Sequence, residues 1–529
     1  MRMRRSFARR VPVCRGCLRF GGLARAALLG LTALGLTALL PRTGWCQEPA
    51  GPAALSALQE ALVTAIERAE KSVVAIARVR KSEQSVRVAE QLIDPLRVDA
   101  APLGFLAESN PTSPDFVPNE FGTGVVLDRD GHVVTNYHVL GDPELNDYYV
   151  WVRQRPFKVA HVEVPQEVRA GDPWTDLAVL KIGAADLEPM PLGDATRLRK
   201  GMIVIALGNP YGIARDGEVS ASWGIISNLR RAAAADPRYS SAGMERSTLD
   251  QYGTLLQTDA RLDWGTSGGA LVNLQGEMVG LTTSLAAMAG YEQPAGFAIP
   301  VDDAFRKTVE TLKQGRLPAF GFLGVQPEHL SLAERQAGRF GTRVLRVVPG
   351  TPAEKAGLQP NDVITHVNQT EVCDKNALFR ELSRLPAEET VTLTLQRRGA
   401  LEQPPQTVTA SVVLAKKYLA TSRQPYAQVA EPAWRGLRVD YPSALPPQLS
   451  LQGATTVDPA GCVAVAEVDR DSPAWKAGLR RGECISHVGT QRVATPREFF
   501  QAVADQAGTV QLQLTSGQGA DAVRTVSAE

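Results

Sequence analysis

Cysteine is scarce in this chain. Six occur in 529 residues, at positions 14, 17, 46, 373, 462 and 484. Three of them lie in or at the end of an N-terminal leader. The remaining body keeps an odd number, which excludes a full disulfide scaffold. Cys14 and Cys17 have the spacing of a metal pair, but no second pair follows, so no metal site is expected. A Cys462–Cys484 bridge stays open. Aromatic residues are also few, at 6%, and the formal net charge is only +1. A chain with no global field and no basic-aromatic patch is not built to hold nucleic acid. Long apolar runs are missing, with one exception, and that run (residues 26–40, AALLGLTALGLTALL) is shorter than the roughly 20 residues of a comfortable membrane span.

The run follows the basic start MRMRRSFARR and precedes the polar text PRTGWCQEPAG. A basic start, a short apolar core and small residues after it read as an export signal. An uncleaved anchor through residues 26–40 is the alternative. A cut before Gln47 suits the small Gly44 and Cys46. The protein is therefore expected to be exported. Residues 1–46 are assigned to this signal or anchor, and 47–71 to a helical segment rich in Ala, Leu and Glu.

From Ser72 the text turns to short β-branched runs between Gly, Asp and Pro: SVVAIARV, GTGVVLD, HVVTNYHVL, DLAVLKI, MIVIALGN, GIISNL, EMVGLTTSL and GFAIPV. Many short strands with little helix predict a mainly β domain over 72–314, with room for two barrels. Two polar insertions, Glu83–Glu120 and Arg230–Gly253, interrupt it and are expected to be mobile.

The C-terminal part repeats itself. Thr351-Pro352-Ala353 matches Ser472-Pro473-Ala474, Ala356-Gly357-Leu358 matches Ala477-Gly478-Leu479, and His366 matches His487. The unit is a whole small α+β domain, predicted over 318–416 and again over 434–529, with 417–433 as linker. Each is expected to carry an amphipathic helix, Asn376–Leu385 in the first and Arg497–Ala504 in the second.

One stretch raises a chemical question: LDWGTSGGALVN, residues 262–273, sets Ser267 among glycines. A serine hydroxyl needs a base to take its proton and a third group to orient that base. Six histidines are available. His366 and His487 are repeat-equivalent strand residues. His329 lies in polar, linker-like text. His132 follows a turn and is expected to face solvent, and His161 sits on an alternating strand. His138 ends a strand where a small helical turn begins, a place that aims a side chain into a cleft. Asp176 heads the apolar strand of WTDLAVLKI, where a carboxylate is costly unless paired. The order His138, Asp176, Ser267 is the chymotrypsin order of a Ser-His-Asp triad. The glycines permit a turn that points N–H groups of Gly265, Thr266 and Ser267 inward as an oxyanion hole, with Gly265 and Ser267 as donors.

These segments resemble the HtrA/DegP family of serine proteases, trypsin-like double β-barrels followed by PDZ domains. The resemblance runs from about Ser72 to the C-terminus. It is carried by FGTGVVLDRDGHVVTNYHVL, TDLAVLKI, ALGNPYG, LLQTDARLDWGTSGGALVN and GFAIPV. It implies endopeptidase action on unfolded or misfolded polypeptides in the periplasm or cell envelope, no cofactor, and a homotrimer or larger assembly. It places Leu262 in the wall of the substrate pocket. Phe322, Leu323, Gly324 and Val325 match the loop with which a PDZ domain captures C-terminal peptides. In the second PDZ unit, Gly436-Leu437-Arg438-Val439 aligns with this loop and puts Arg438 where Gly is wanted. Thr266 replaces the family's usual Asn, and Trp264 stands where a smaller residue is usual. Both departures, with the insertions, motivate the alternative of a resting or inactive chaperone or peptide-binding scaffold. Arg261, beside the pocket wall, is expected to be a solvated surface residue.

Overall fold

The computed structural model describes residues 50–80, 120–158 (save 142, 144, 153 and 154), 170–209, 219–232, 248–283, 295–398, 404–446 (save 422), 448–449, 458, 460–516 and 522–528. The leader, His161 and most of both insertions lie outside the described residues. Contacts divide the chain into residues 1–54 and 55–529, and of the first unit only the opening of one helix is described. Among the described residues, no helix is long and apolar enough to cross a membrane.

That helix, α1 (Ala50–Ala69), precedes the first sheet. Its strands are β1 (Val73–Arg80), β2 (Glu120–Val126), β3 (His132–Asn136), β4 (Asn146–Val152), β5 (Arg155–Lys158), β6 (Ala170–Asp172) and β7 (Leu177–Lys181). The second sheet is a closed barrel of β8 (Ile203–Gly208), β9 (Ser220–Arg231), β10 (Leu255–Thr258), β11 (Ala270–Val272), β12 (Met278–Thr283) and β13 (Gly296–Pro300). Strands β2, β7, β8, β11 and β12 are buried along nearly their whole length, which explains why charge appears in them only at the end residues Glu120 and Lys181. The largest core cluster lies where the sheets meet. It joins Val125, Val134 and Leu177 to Ile205, Leu207 and Ala270. Ala65 and Ala69 of α1 cap it. So do Phe305, Val309 and Leu312, which follow one another at helical spacing along α3 (Asp303–Lys313). A short helical turn, α2 (Tyr137–Leu140), follows β3.

Two similar α+β units follow. The first has β14 (Gly321–Phe322), β15 (Val325–His329), β16 (Thr342–Val347), β17 (Val363–Val367), β18 (Thr370–Glu371), β19 (Thr390–Arg397), β20 (Gln406–Val413) and β21 (Ala415–Lys416), with helices α4 (Pro352–Lys355) and α5 (Lys375–Leu382) and a short helical turn, Leu332–Gln336, between β15 and β16. A single short strand, β22 (Tyr426–Ala427), lies in the linker. The second unit has β23 (Leu437–Asp440), β24 (Val463–Val468), β25 (Cys484–Val488), β26 (Gln491–Arg492), β27 (Val510–Leu514) and β28 (Val523–Val526), with α6 (Pro473–Lys476) and α7 (Pro496–Ala504). Strand order is the same in both, β15-β16-β17-β19-β20 and β23-β24-β25-β27-β28. The repeat histidines are equivalent in detail. His366 Nδ1 lies 3.1 Å from the Thr365 hydroxyl and His487 Nδ1 lies 3.0 Å from the Ser486 hydroxyl.

Three readings are corrected. His329 is not linker text but the end of β15, whose pairing runs to Thr342. His132 does not face solvent freely, because its Nδ1 lies 2.9 Å from Asp128 Oδ2 and its side chain is only 14% exposed. In the second small unit, Gly436 and not Arg438 occupies the glycine position of the loop. Gly324 and Gly436 both have positive φ, at 90° and 76°. A Cβ at Gly324 would strike Thr351 Cβ at 2.2 Å, and one at Gly436 would strike the matching Ser472 Cβ at 2.3 Å. Arg438 lies on β23, paired with Asp469 at 2.7 Å.

Candidate active site

Strand pairing brings the first two site residues together. In the β3–β7 ladder Asn136 faces Leu177. His138 lies two residues past Asn136 and Asp176 one residue before Leu177, both at the same end of the ladder. The chain turns into α2 at Tyr137, and Asp176 takes a left-handed φ of 56°. For a non-glycine residue that conformation costs about 1–2 kcal/mol. Hydrogen bonds at both ends of the residue offset it. The Asp176 carbonyl accepts from Tyr137 N at 3.0 Å and Asn136 Nδ2 at 3.2 Å. Its Oδ1 accepts from His138 N at 3.0 Å, and its Oδ2 faces His138 Nδ1 at 2.8 Å. The carboxylate thus holds both the imidazole and the backbone that carries it.

Ser267 sits in a loop clamped between the two sheets. Thr266 N donates to Asp263 O at 3.2 Å, closing a four-residue turn. Gly265 is its third residue with φ 93°, the position that demands glycine in a type II turn. The Thr266 hydroxyl donates to the same Asp263 carbonyl at 2.6 Å. The residue that replaces the usual Asn therefore reinforces the turn. Thr123 of β2 grips the loop twice: its N donates to Ser267 O at 2.8 Å and its hydroxyl to Gly265 O at 2.7 Å. From the other side, Gly268 N donates to Thr282 O at 2.9 Å and the Thr282 hydroxyl to Thr266 O at 2.6 Å. A Cβ built on Gly122 would touch both Ser267 O and Val139 of α2, so the serine loop and the histidine turn share one neighbour. Ser267 is 6% exposed and Trp264 60% exposed. Leu262 packs on β13, where a Cβ at Gly296 would lie 2.8 Å from Leu262 Cδ1. Arg261 is 76% exposed and pairs with Asp263 at 3.0 Å, as expected of a surface residue.

Two further carboxyls stand near Asp176. Asp172 accepts from Trp174 N at 3.2 Å, Thr175 N at 3.1 Å and the Thr175 hydroxyl at 2.7 Å. It shapes the turn that delivers Asp176. Burial pushes its pKa up to about 6 against those bonds, and the Asp176 charge adds to the rise. Asp250 is likewise raised to about 6 by burial, with Asp176 again contributing. Its Oδ1 is enclosed without a hydrogen-bond partner among the described residues. Sequence reasoning missed Asp172, Asp250, Thr123 and Tyr137. Only Asp172 had a readable signal, an Asp three residues before a Thr in DPWT. Cys462 and Cys484 are free thiols in this structure. Among the described residues no group of three metal-ligating side chains converges.

In the first small unit Gly324 turns the chain from Leu323 into Val325, and Val348 N donates to Gly324 O at 2.9 Å. Strand β15 pairs with β16 on one side only and is the edge of its sheet. An edge strand beside a helix and a glycine turn is the arrangement that accepts an added peptide strand.

Three parts of the chain match known domain families. Residues 122–281 match the trypsin-like peptidase domain, and residues 321–407 and 464–515 each match a PDZ domain. A probable periplasmic serine endoprotease DegP-like of Chlamydia trachomatis is 32% identical over 409 residues, covering 77% of this chain and 73% of that protein. Its counterpart from Brucella suis is 32% identical over 412 residues, 75% of this chain and 71% of that one. The serine endoprotease DegS of Haemophilus influenzae is 31% identical over 325 residues, 61% of this chain and 86% of that one. Among solved structures, the HtrA-type protease AlgW with decapeptide is 25% identical, with a TM-score of 0.44 over 67% of this chain and 98% of that one. Fold and site together define a trypsin-like serine endopeptidase carrying two PDZ domains. The chain belongs to the HtrA/DegP family.

Proposed function

We propose that this protein cleaves unfolded or misfolded polypeptides in the periplasm through an acyl-enzyme on Ser267. The observation that carries the reading is the Asp176 Oδ2 to His138 Nδ1 contact at 2.8 Å beside a clamped glycine-serine loop. Asp176 holds the proton of His138 on Nδ1, which leaves Nε2 free to take the Ser267 proton as Oγ attacks the scissile carbonyl. His138 then gives that proton to the leaving amine. The N–H groups of Gly265 and Ser267, with the Thr266 peptide between them, receive the oxyanion. Leu262 forms an apolar wall suited to a small aliphatic side chain before the cut. The loop Phe322–Val325 captures a C-terminal peptide on the first PDZ domain. Assembly as a homotrimer or larger is part of the reading and is checked by sedimentation of the leader-free protein.

The first test incubates leader-free protein with an unstructured protein substrate. Ser267→Ala should abolish cleavage, and Asp176→Asn should lower kcat by about four orders of magnitude, as removal of the orienting carboxylate does in a known triad. Cleavage retained by Ser267→Ala would sink the assignment. If the parent fails to cleave while suppressing aggregation as well as Ser267→Ala does, the scaffold reading takes over.

A further inference from the structure

The linker between the two PDZ domains does not run directly from one to the other. It returns to the protease domain. Tyr426 and Ala427 pair, as β22, with Gly171 and Ala170 of β6, so the linker forms the outermost strand of the first sheet. The ring of Tyr137 stands on Gly171, where an added Cβ would lie 2.6 Å from Tyr137 Cδ2. The Tyr137 hydroxyl donates to the linker carbonyl of Gln424. Tyr137 directly precedes His138, and its own N–H bonds Asp176 O. This residue therefore joins the linker, β6 and both members of the His–Asp pair.

The same linker also touches a neighbour of Asp176. Trp174, two residues before Asp176, is 1% exposed. It packs with Tyr252 and with Phe320 of the first PDZ unit, and Leu419 of the linker lies against this cluster. Lys417 Nζ lies 4.5 Å from the Trp174 ring centroid. Both ends of the segment are anchored. Tyr418 N donates to Ser443 O of the second PDZ unit, and Val429 N donates to Gly315 O after α3, each at 2.9 Å. Movement of either PDZ domain therefore pulls on a segment that touches the neighbours of His138 and Asp176.

We propose that residues 424–427 are a positioning strap for the catalytic His138–Asp176 pair, and that turnover falls when the strap leaves β6. The proposal rests on the role given above to His138 and Asp176. The strap makes no contact with substrate. It acts by fixing Tyr137 from its hydroxyl while Asp176 fixes it from its backbone. It also closes the β6 edge next to the Asp172–Asp176 turn.

Two variants test it. Tyr137→Phe removes only the hydroxyl, and a paired Tyr426→Pro, Ala427→Pro substitution removes the N–H groups that a ladder needs. Each should lower kcat about five- to tenfold, the size of one net hydrogen bond read as a rate, while KM stays within about twofold of the parent by the same reasoning. Combining them should add nothing further, because both break one connection. Leader-free protein labelled with 15N-histidine supplies a readout independent of the nucleophile. The Nδ1 proton of His138, held by Asp176, should weaken or vanish in the variants. Unchanged kcat and an unchanged His138 signal in the proline variant, with amide exchange at Gly171 showing β22 released, would overturn the strap. If Ser267→Ala still cleaved while the variants lost the His138 signal, the nucleophile assignment alone would fall.

Discussion

Asp250 is the residue whose chemistry is least settled by its contacts. Its carboxyl is enclosed, its Oδ1 has no hydrogen-bond partner among the described residues, and Asp176 stands near enough to repel its charge. Burial raises its pKa from 3.8 to about 6. The folded chain therefore holds this proton more tightly than the unfolded chain. Between about pH 4 and 6 the folded state carries more protons, so stability falls as pH rises through that window. Above about pH 6 the full cost of the charge is present. Asp250→Asn should stabilise the protein by about 1–3 kcal/mol at pH 8, and the gain should fade towards pH 4. Thermal melts of variant and parent at the two pH values decide it; an equal difference at both would mean that Asp250 is not the charged group responsible. At this scale the sequence was informative where chemistry needs a contiguous signature. His138 follows a strand end, Asp176 precedes a strand start and Ser267 lies among glycines, and each pattern is local. Thr123 carries no such mark. It is one more residue of an apolar strand, and its two bonds to the serine loop exist only after the sheets meet.

Among the elements, the two PDZ units show what a repeat does and does not transmit. Their Thr/Ser-Pro-Ala and Ala-Gly-Leu turns align by spacing, and the helices follow within a residue or a few, at Lys375–Leu382 and Pro496–Ala504. The loop that would hold a peptide was misaligned in the second unit, because its distance to the Ser-Pro-Ala turn differs. Contact decides the matter: Gly324 fits under Thr351 and Gly436 under Ser472. The residue before each glycine differs in kind. Leu323 enters the core of its unit, whereas Arg435 donates to four carbonyls, those of Gln506, Gly508, Val526 and Ser527. The loop of the second unit is thus tied to the turn after α7 and to the last residues of β28 and beyond. Gly324→Ala places a Cβ into Thr351 at a positive φ. It should weaken binding of a peptide with a free C-terminal carboxylate to the leader-free protein by more than about tenfold, since the displaced turn is the part that presents its N–H groups. Fluorescence anisotropy with a labelled peptide measures this, and unchanged affinity would remove the loop from the binding site.

In the whole molecule the two PDZ domains are attached by different physics. The first is held mainly by rings, with the ion pairs Arg384–Asp302 and Lys307–Glu389 beside them. Trp174 and Tyr252 of the protease domain meet Phe320 and Phe379, with Lys417 over two of the rings. The second is held by charge. Arg497 and the Tyr441 hydroxyl both bond Glu388, and Lys416 meets Asp440 at 2.5 Å. A cavity of about 310 Å³ lies between the two PDZ units, lined on the second by Tyr441, Cys462 and Thr495. None of this was legible in the sequence. A two-residue strand such as β22 has no periodicity, and a linker of mixed polar text reads as a spacer until its partners are known. Apolar ring contact survives added salt, whereas exposed ion pairs such as Arg497–Glu388, whose side chains are 68% and 29% exposed, are screened over about 3 Å at 1 M ionic strength. Raising salt from about 0.1 to 1 M should therefore loosen the second PDZ domain first. Small-angle scattering of leader-free Ser267→Ala protein should record a larger radius of gyration. Amide exchange should rise around Glu388 and Ser443 while the Trp174 cluster stays protected. The strap runs between these two attachments, so the same salt step should lower kcat before any loss of folded protein. A fall in activity only at salt that also melts the Trp174 cluster would mean that the domains detach together and that the charged contacts hold nothing by themselves.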